Sequence, residues 1–161
     1  MVGFALIVIV VTVIALFLLS LYIKKPGKIY NDNEIASFLH ASMLVTTECS
    51  PARRPGTIYN TKDLIKSCGK ASGEKCTNNK DTCTTLTESL TALLDQSFVI
   101  TPDSKYSAYS LKITNKLISN TPVIQPINSP TGTLGVGDKY TAGIMIPDGG
   151  YVVNLTFYSR T

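Results

Sequence analysis

Residues 138–160, "DKYTAGIMIPDGGYVVNLTFYSR", hold the clearest structural pattern of the chain. Apolar side chains occupy every second position on both sides of the turn sequence Pro147 to Gly150. The two apolar sets are Tyr140, Ala142, Ile144 and Ile146, then Tyr151, Val153, Leu155 and Phe157. A period of two is typical of a strand with one buried face, and two such runs joined by a Gly-rich turn predict an antiparallel β-hairpin.

The same period appears further upstream. In residues 107–115, "SAYSLKITN", alternate positions are again apolar, which predicts another strand with one buried side. Residues 119–137 contain three prolines, and proline cannot donate to a central sheet ladder. We therefore predict a loop there, with short edge segments around Val123 to Ile127 and Leu134.

Between residues 31 and 97 the apolar period is helical. One helix is predicted over residues 31–45, and a second over residues 61–68, with Asn60 as its N-cap and Gly69 at its end.

A third helix is predicted in "TLTESLTALLDQSF", where Thr85 and Glu88 have capping-box spacing and four leucines share one face. Helices that precede an antiparallel sheet predict an α+β fold.

The chain begins with an apolar segment, Phe4 to Ile23, whose 20 residues are interrupted only by Thr12 and Ser20. A helix of that length rises about 30 Å, the thickness of a bilayer core. It lacks the basic start and small-residue cleavage site of a secretory signal, so we expect it to be retained. We predict two parts: residues 1–29 as a long hydrophobic helix, and residues 30–161 as one extracellular head, helical with four cysteines over 30–97 and antiparallel β over 98–161.

Eight apolar residues of this segment are predicted to form a membrane span or the core of a filament. They are Phe4, Leu6, Ile7, Val10, Val11, Ile14, Phe17 and Leu18.

The four cysteines, Cys49, Cys68, Cys76 and Cys83, include no C-x-x-C pair, and their spacing favours disulfides over a metal site. Three pairings exist, of which we prefer the nested one, Cys49 with Cys83 and Cys68 with Cys76. Two bridges predict an oxidising, extracytoplasmic location. Three lysines just after the apolar segment would instead place the head in the cytoplasm by the positive-inside rule, unless a basic leader preceded Met1.

Little in the sequence indicates catalysis or nucleic-acid binding. The formal charge of +4 comes from scattered lysines, without the clustered cations and aromatics of a nucleic-acid site. His40 is the only histidine, and the acidic residues do not converge, so we expect no enzyme, no metal site and no cofactor. The sequon "NLT" at Asn154 predicts an N-glycosylation site on the outward side of its strand, with a chance match as the alternative.

The opening "MVGFALIVIVVTVIALFLLSLYI", the amphipathic stretch after it and the late antiparallel sheet resemble type IV pilins and archaeal pilin-like proteins. More narrowly, "MVGFALIVIVV", "TTEC", "DLIKSC" and "YVVNLTFYS" are similar to an uncharacterised set of pilin-like proteins from small-genome archaea. The resemblance implies that apolar helices bundle in a filament core, that heads form the outer shell, and that a peptidase removes a basic leader. The glutamate that bacterial pilins carry at the fifth mature position has no counterpart here, since no acid precedes Asp32.

Two functional hypotheses follow. The first is the structural subunit of an extracellular pilin-like filament used for attachment or cell contact, with copies of itself as partners and the membrane as its location before assembly. The alternative is an envelope protein anchored by a single span, with a disulfide-bonded binding head. In that case the loop "PARRPG", with Arg53 and Arg54, is where a receptor or an acidic sugar would be sought.

Overall fold

The computed structural model describes residues 11–15, 32–52, 54, 56–70, 73–131, 134 and 137–160. Three helices precede a sheet in the chain. The helices are α1 (Asp32–Leu44), α2 (Thr61–Gly69) and α3 (Thr82–Ser97). The strands are β1 (Tyr106–Asn115), β2 (Thr121–Pro122), β3 (Ile127–Asn128), β4 (Lys139–Ile146) and β5 (Tyr151–Ser159). The predicted α+β class with an antiparallel sheet is confirmed.

The predicted hairpin forms β4 and β5, with Ile146 opposite Tyr151. β5 also pairs antiparallel with β1, so it is the central strand, and the sheet order is β2-β1-β5-β4. The hairpin turn contains Gly149 and Gly150, whose φ angles of 114° and 66° lie in the region that glycine tolerates best.

The proline-rich stretch contributes two short strands rather than one long one. β2 and β3 each contain two residues; β2 pairs with the end of β1, at Thr114 and Asn115, and β3 pairs with its middle, at Ser110 and Leu111. In place of one edge segment near Val123 to Ile127, the structure thus has a short strand just before this stretch and another at its end. Leu134, the other predicted edge position, lies in a turn.

One edge of the sheet has no partner among the described residues. The amide of Ser159 donates to the carbonyl oxygen of Asp138 at 2.8 Å, which marks these two residues as a hydrogen-bonded pair. Because such pairs alternate along an antiparallel ladder, the backbone groups of residues 139, 141, 143 and 145 point away from β5. β4 therefore presents a free edge along most of its length.

The helices and the inner face of the sheet enclose one apolar core. It includes Ile35 and Leu39 of α1, Leu64 of α2, Leu86 of α3 and Val153 of β5, all fully buried. A cluster of aromatic rings fills one end, in which Phe98 lies 4.6 Å from Phe38 and 4.8 Å from Phe157 between ring centroids. Edge-to-face packing of this kind favours a single arrangement of the helices on the sheet.

The predicted long N-terminal hydrophobic helix is wrong. Within residues 1–29 the structure describes helix only at residues 11–15, a rise of about 7.5 Å against the roughly 30 Å of a bilayer core. Val11 and Ile14 are 58% and 53% exposed, so they lie outside the core of the head.

Among the described residues, no helix has the length and hydropathy required to cross a membrane.

Candidate functional site

Two helix caps set the geometry of the cysteine-rich part of the head. The side chain of Asn60 accepts a 2.8 Å hydrogen bond from the amide of Asp63, which confirms the predicted N-cap of α2. α3 begins at Thr82, where the carboxylate of Asp81 accepts from the amides of Cys83 and Thr84. These caps place Cys68 at the end of α2 and Cys83 at the start of α3.

The predicted capping box of Thr85 and Glu88 is wrong, because α3 begins three residues before Thr85. The hydroxyl of Thr85 donates instead to the carbonyl oxygen of Asp81 at 3.1 Å. Glu88 forms an ion pair with Lys80 at 2.8 Å. Asp81 is already a strong N-cap residue, so the helix needs no second device.

The structure contains two disulfides, Cys49–Cys76 and Cys68–Cys83, and all four predicted cysteines take part. The nested pairing that we preferred is wrong. Cys76 does not pair with Cys68, because backbone hydrogen bonds between residues 50–52 and 75–77 bring it beside Cys49 instead. The two bridges therefore interlock along the chain and join residues 49–83 into one covalent unit.

The bridges are well protected from solvent. Cys49, Cys76 and Cys68 are at most 6% exposed, and each belongs to the apolar core. Disulfides persist in oxidising compartments and are rare where thiols are kept reduced. The two bridges therefore indicate an oxidising, extracellular environment.

Beside the Cys49–Cys76 bridge, the surface opens into a polar cleft of about 270 Å³. Its lining consists of hydroxyl, amide and charged side chains: Thr46, Thr47, Glu48, Asn78, Lys80, Thr85, Glu88 and Ser89. The hydrogen bond from Lys80 to Glu88, followed by the negative charges of Glu88 and Glu48, raises the pKa of Lys80. The cleft therefore holds a paired cation and offers hydrogen-bonding groups, an arrangement suited to contacts with polar molecules.

Among the described residues, none of those predicted for other functional roles lines this cleft. Of the eight predicted core residues of the apolar segment, only Val11 and Ile14 are described, and the other six lie outside the described residues. His40 is exposed on α1. Arg54 is exposed in its loop, whereas Arg53 is outside the described residues. In the described part of the chain, no group of three or more potential metal-ligating side chains comes together.

Asn154 lies where the sequence predicts, on the side of β5 opposite the core. It alternates with the fully buried Val153 and Leu155, and its own side chain is partly exposed. Its neighbours across the sheet are Lys112 on β1 and Gly143 on β4.

Two polar contacts of the head have no sequence signal that could have revealed them. The hydroxyl of Tyr109 donates to Asp95 at 2.6 Å, and the hydroxyl of Ser67 donates to Glu74 at 2.5 Å. Glu74 also lies 3.5 Å from the Tyr59 hydroxyl, whose pKa is raised first by burial and then by the negative charge of Glu74. The paired residues are 7 to 15 positions apart along the chain and lie in different elements or loops, and periodicity does not report on such contacts.

Comparison of the chain with protein-family models, with curated proteins and with solved structures gives no match.

Proposed function

We propose that this protein is a structural subunit of an extracellular, pilin-like filament, in which the head forms the outer surface and the apolar segment Met1 to Ile23 makes the contacts between subunits. The observation that carries the proposal is the combination of a disulfide-bonded head with exposed apolar side chains in the adjoining segment, of which the structure describes residues 11–15. Val11 and Ile14 are more than half exposed, although both are large and apolar.

The energetics support a partner for this segment. Removing apolar surface from water contributes about 25 cal/mol per Å², so burying exposed side chains such as Val11, Val13 and Ile14 between copies favours association. A contact that repeats from copy to copy without closing generates a helical polymer. Identical copies are therefore sufficient to bury the segment.

The head suits an exposed subunit. Its core is closed by two bridges over residues 49–83, and a disulfide typically contributes about 2 to 4 kcal/mol to the stability of a small domain. Its polar cleft and the loop that contains the exposed Arg54 are surfaces for contact with polar partners. In this proposal they serve attachment rather than chemistry.

The test is a pair of arginine substitutions at residues of similar exposure. Val11→Arg puts a charge into the apolar segment, and Ile58→Arg puts the same charge on the head, where Ile58 is 62% exposed. Neither residue belongs to the core, so both variants should fold. Filaments sheared from the native cells are counted by electron microscopy, and the chain is quantified in them by mass spectrometry.

The expected result is that Val11→Arg abolishes filaments, whereas Ile58→Arg leaves them at wild-type abundance. Filaments that persist with Val11→Arg at normal abundance contradict the proposal. So does a wild-type chain that is absent from sheared filaments and stays with the membrane fraction, a result that favours the anchored binding protein instead.

A further inference from the structure

We propose that Asn154 carries an N-linked glycan, attached to the outer face of the sheet. Asn154, Leu155 and Thr156 form the one Asn-x-Ser/Thr sequon of the chain, because no other asparagine has a serine or threonine two positions later. The proposal rests on the extracellular location that the disulfides indicate and is independent of filament assembly.

The geometry leaves the acceptor side chain accessible. The helices pack against the inner face of the sheet, and Asn154 lies on the opposite face, in a row with Lys112 and Gly143, both of which are exposed. Within the described part of the chain, the carboxamide of Asn154 makes no hydrogen bond. It is thus not engaged in holding the fold together.

Gly143 leaves room for this side chain. A Cβ atom at position 143 would overlap Oδ1 of Asn154, so the carboxamide extends over the glycine of the neighbouring strand. Among the described residues β4 is an edge strand, and both Gly143 and Lys112 are exposed. A glycan on Nδ2 of Asn154 extends from this outer face of the sheet.

The reaction is a glycosyl transfer from a lipid-linked sugar phosphate, catalysed by a separate transferase. Nδ2 of Asn154 attacks the anomeric carbon of the sugar and forms a C–N bond. The bond from that carbon to the phosphate oxygen breaks, the lipid phosphate leaves, and the nitrogen loses one proton. No oxidant or reductant is required.

The order of strands along the chain is compatible with this reaction. β5 follows both of its neighbours, β1 and β4, so the sheet cannot be completed before the sequon has been synthesised. After their synthesis and before β5 pairs with β1 and β4, residues 154–156 are free to adopt the conformation that a transferase requires.

The chain offers a direct measurement. No lysine or arginine lies between Lys139 and Arg160, so trypsin releases Tyr140–Arg160 as one peptide with Asn154 as its only asparagine. This peptide contains no cysteine, and its mass does not depend on processing of the N-terminus. Protein isolated from the native cells should give a peptide heavier than its bare sequence by the mass of a glycan.

Two matched variants separate a glycan from other sources of mass. The hydroxyls of Thr141 and Thr156 lie 2.9 Å apart and share a hydrogen bond across β4 and β5. Thr156→Val breaks this bond and removes the sequon, whereas Thr141→Val breaks the same bond and keeps the sequon. The added mass should vanish completely in the first variant and persist in the second.

Fragmentation of the wild-type peptide gives a result that does not depend on how the variants fold. It should locate the added mass on Asn154. A wild-type peptide of bare mass overturns the proposal. Added mass located on any other residue, or retained in Thr156→Val, overturns it equally.

Discussion

The hydroxyl of Tyr109 donates a 2.6 Å hydrogen bond to Oδ1 of Asp95 and thereby ties β1 to the last turn of α3. The ring of Tyr109 is fully buried, while Asp95 is exposed. The bond thus crosses the boundary between the helical part and the sheet. It lies at the point where the aromatic cluster meets solvent.

Tyr109→Phe should destabilise the head by about 1.5 kcal/mol, the lower end for bonds to charged groups, because the exposed carboxylate regains water. Urea unfolding followed by circular dichroism measures the change. Tyr158→Phe, whose ring is partly exposed on the outer face of β5, is the control and should have little effect. Equal stability of Tyr109→Phe and wild type would show that the bond is energetically neutral.

The same residue predicts a dependence of stability on alkaline pH. Burial, and then the hydrogen bond to Asp95, raise the pKa of Tyr109 above its usual value near 10. The folded state therefore retains a proton that the unfolded state releases. The stabilising contribution is complete below pH 10 and falls above it by about 1.4 kcal/mol per pH unit. Tyr109→Phe removes the part of the decline that is due to Tyr109, so the stability difference between the two proteins should shrink above pH 10.

Asp81→Ala should cost about 1 kcal/mol, because the amides of Cys83 and Thr84 lose their acceptor at the start of α3. Asp81→Asn keeps a capping oxygen and should retain most of the stability. Glu88→Ala removes only an exposed ion pair and should change stability by less than about 0.5 kcal/mol. Thermal unfolding compares the three variants. A larger loss of stability in Glu88→Ala than in Asp81→Ala would support the capping box of Thr85 and Glu88 that the sequence predicts.

Each disulfide should contribute according to the loop that it closes. The sequence separations of 27 and 15 residues correspond to about 3.5 and 3 kcal/mol from chain entropy. We expect Cys49→Ser/Cys76→Ser to be the less stable double variant, also because it places two hydroxyls in the core. Denaturant unfolding of the two double variants, without reductant, measures the order. If the double variant without Cys68–Cys83 is the less stable one, that bridge contributes more stability than its loop entropy explains.

Gly69→Ala should be destabilising by about 1 to 3 kcal/mol, although alanine favours helix. A Cβ at this position would overlap the ring of Tyr151, which is 97% buried against the end of α2. A double-mutant cycle with Tyr151→Leu tests the cause, since the alanine should cost less once the ring is gone. An unchanged cost in the Tyr151→Leu background would place the strain in the helix backbone.

The sheet was predictable because its signal is local. In residues 139–159 the alternation of apolar and polar side chains and the Gly-rich turn specify strand, face and register together. α1 and α2 were predictable from helical spacing in the same way. The sequence predicts the end of α2 at Gly69, and the helix does end there. The structure shows a different reason for glycine at this position, because the ring of Tyr151 occupies the space that a Cβ would need.

The remaining features depend on contacts between distant residues. Cysteine spacing allows three disulfide pairings. The backbone pairing of residues 50–52 with 75–77 determines which one forms, and no sequence pattern predicts that backbone pairing. The apolar segment has the composition of a long helix, whereas the structure describes helix there only at residues 11–15. The polar cleft combines residues from three separate parts of the chain, and no sequence pattern groups them.

The interlocked bridges also determine how the head responds to mechanical tension. A pull applied outside residues 49–83 passes through the sulfur atoms and bypasses most of the chain between them. The Cys49–Cys76 bridge alone prevents a loop of 27 residues from being stretched, which corresponds to about 90 Å of extended chain. The sheet has no such restraint, because both bridges lie before β1. Under load, β1 to β5 would lengthen while the cysteine-rich half keeps its size, and reduction of the bridges would appear in a single-molecule trace as an additional step in extension.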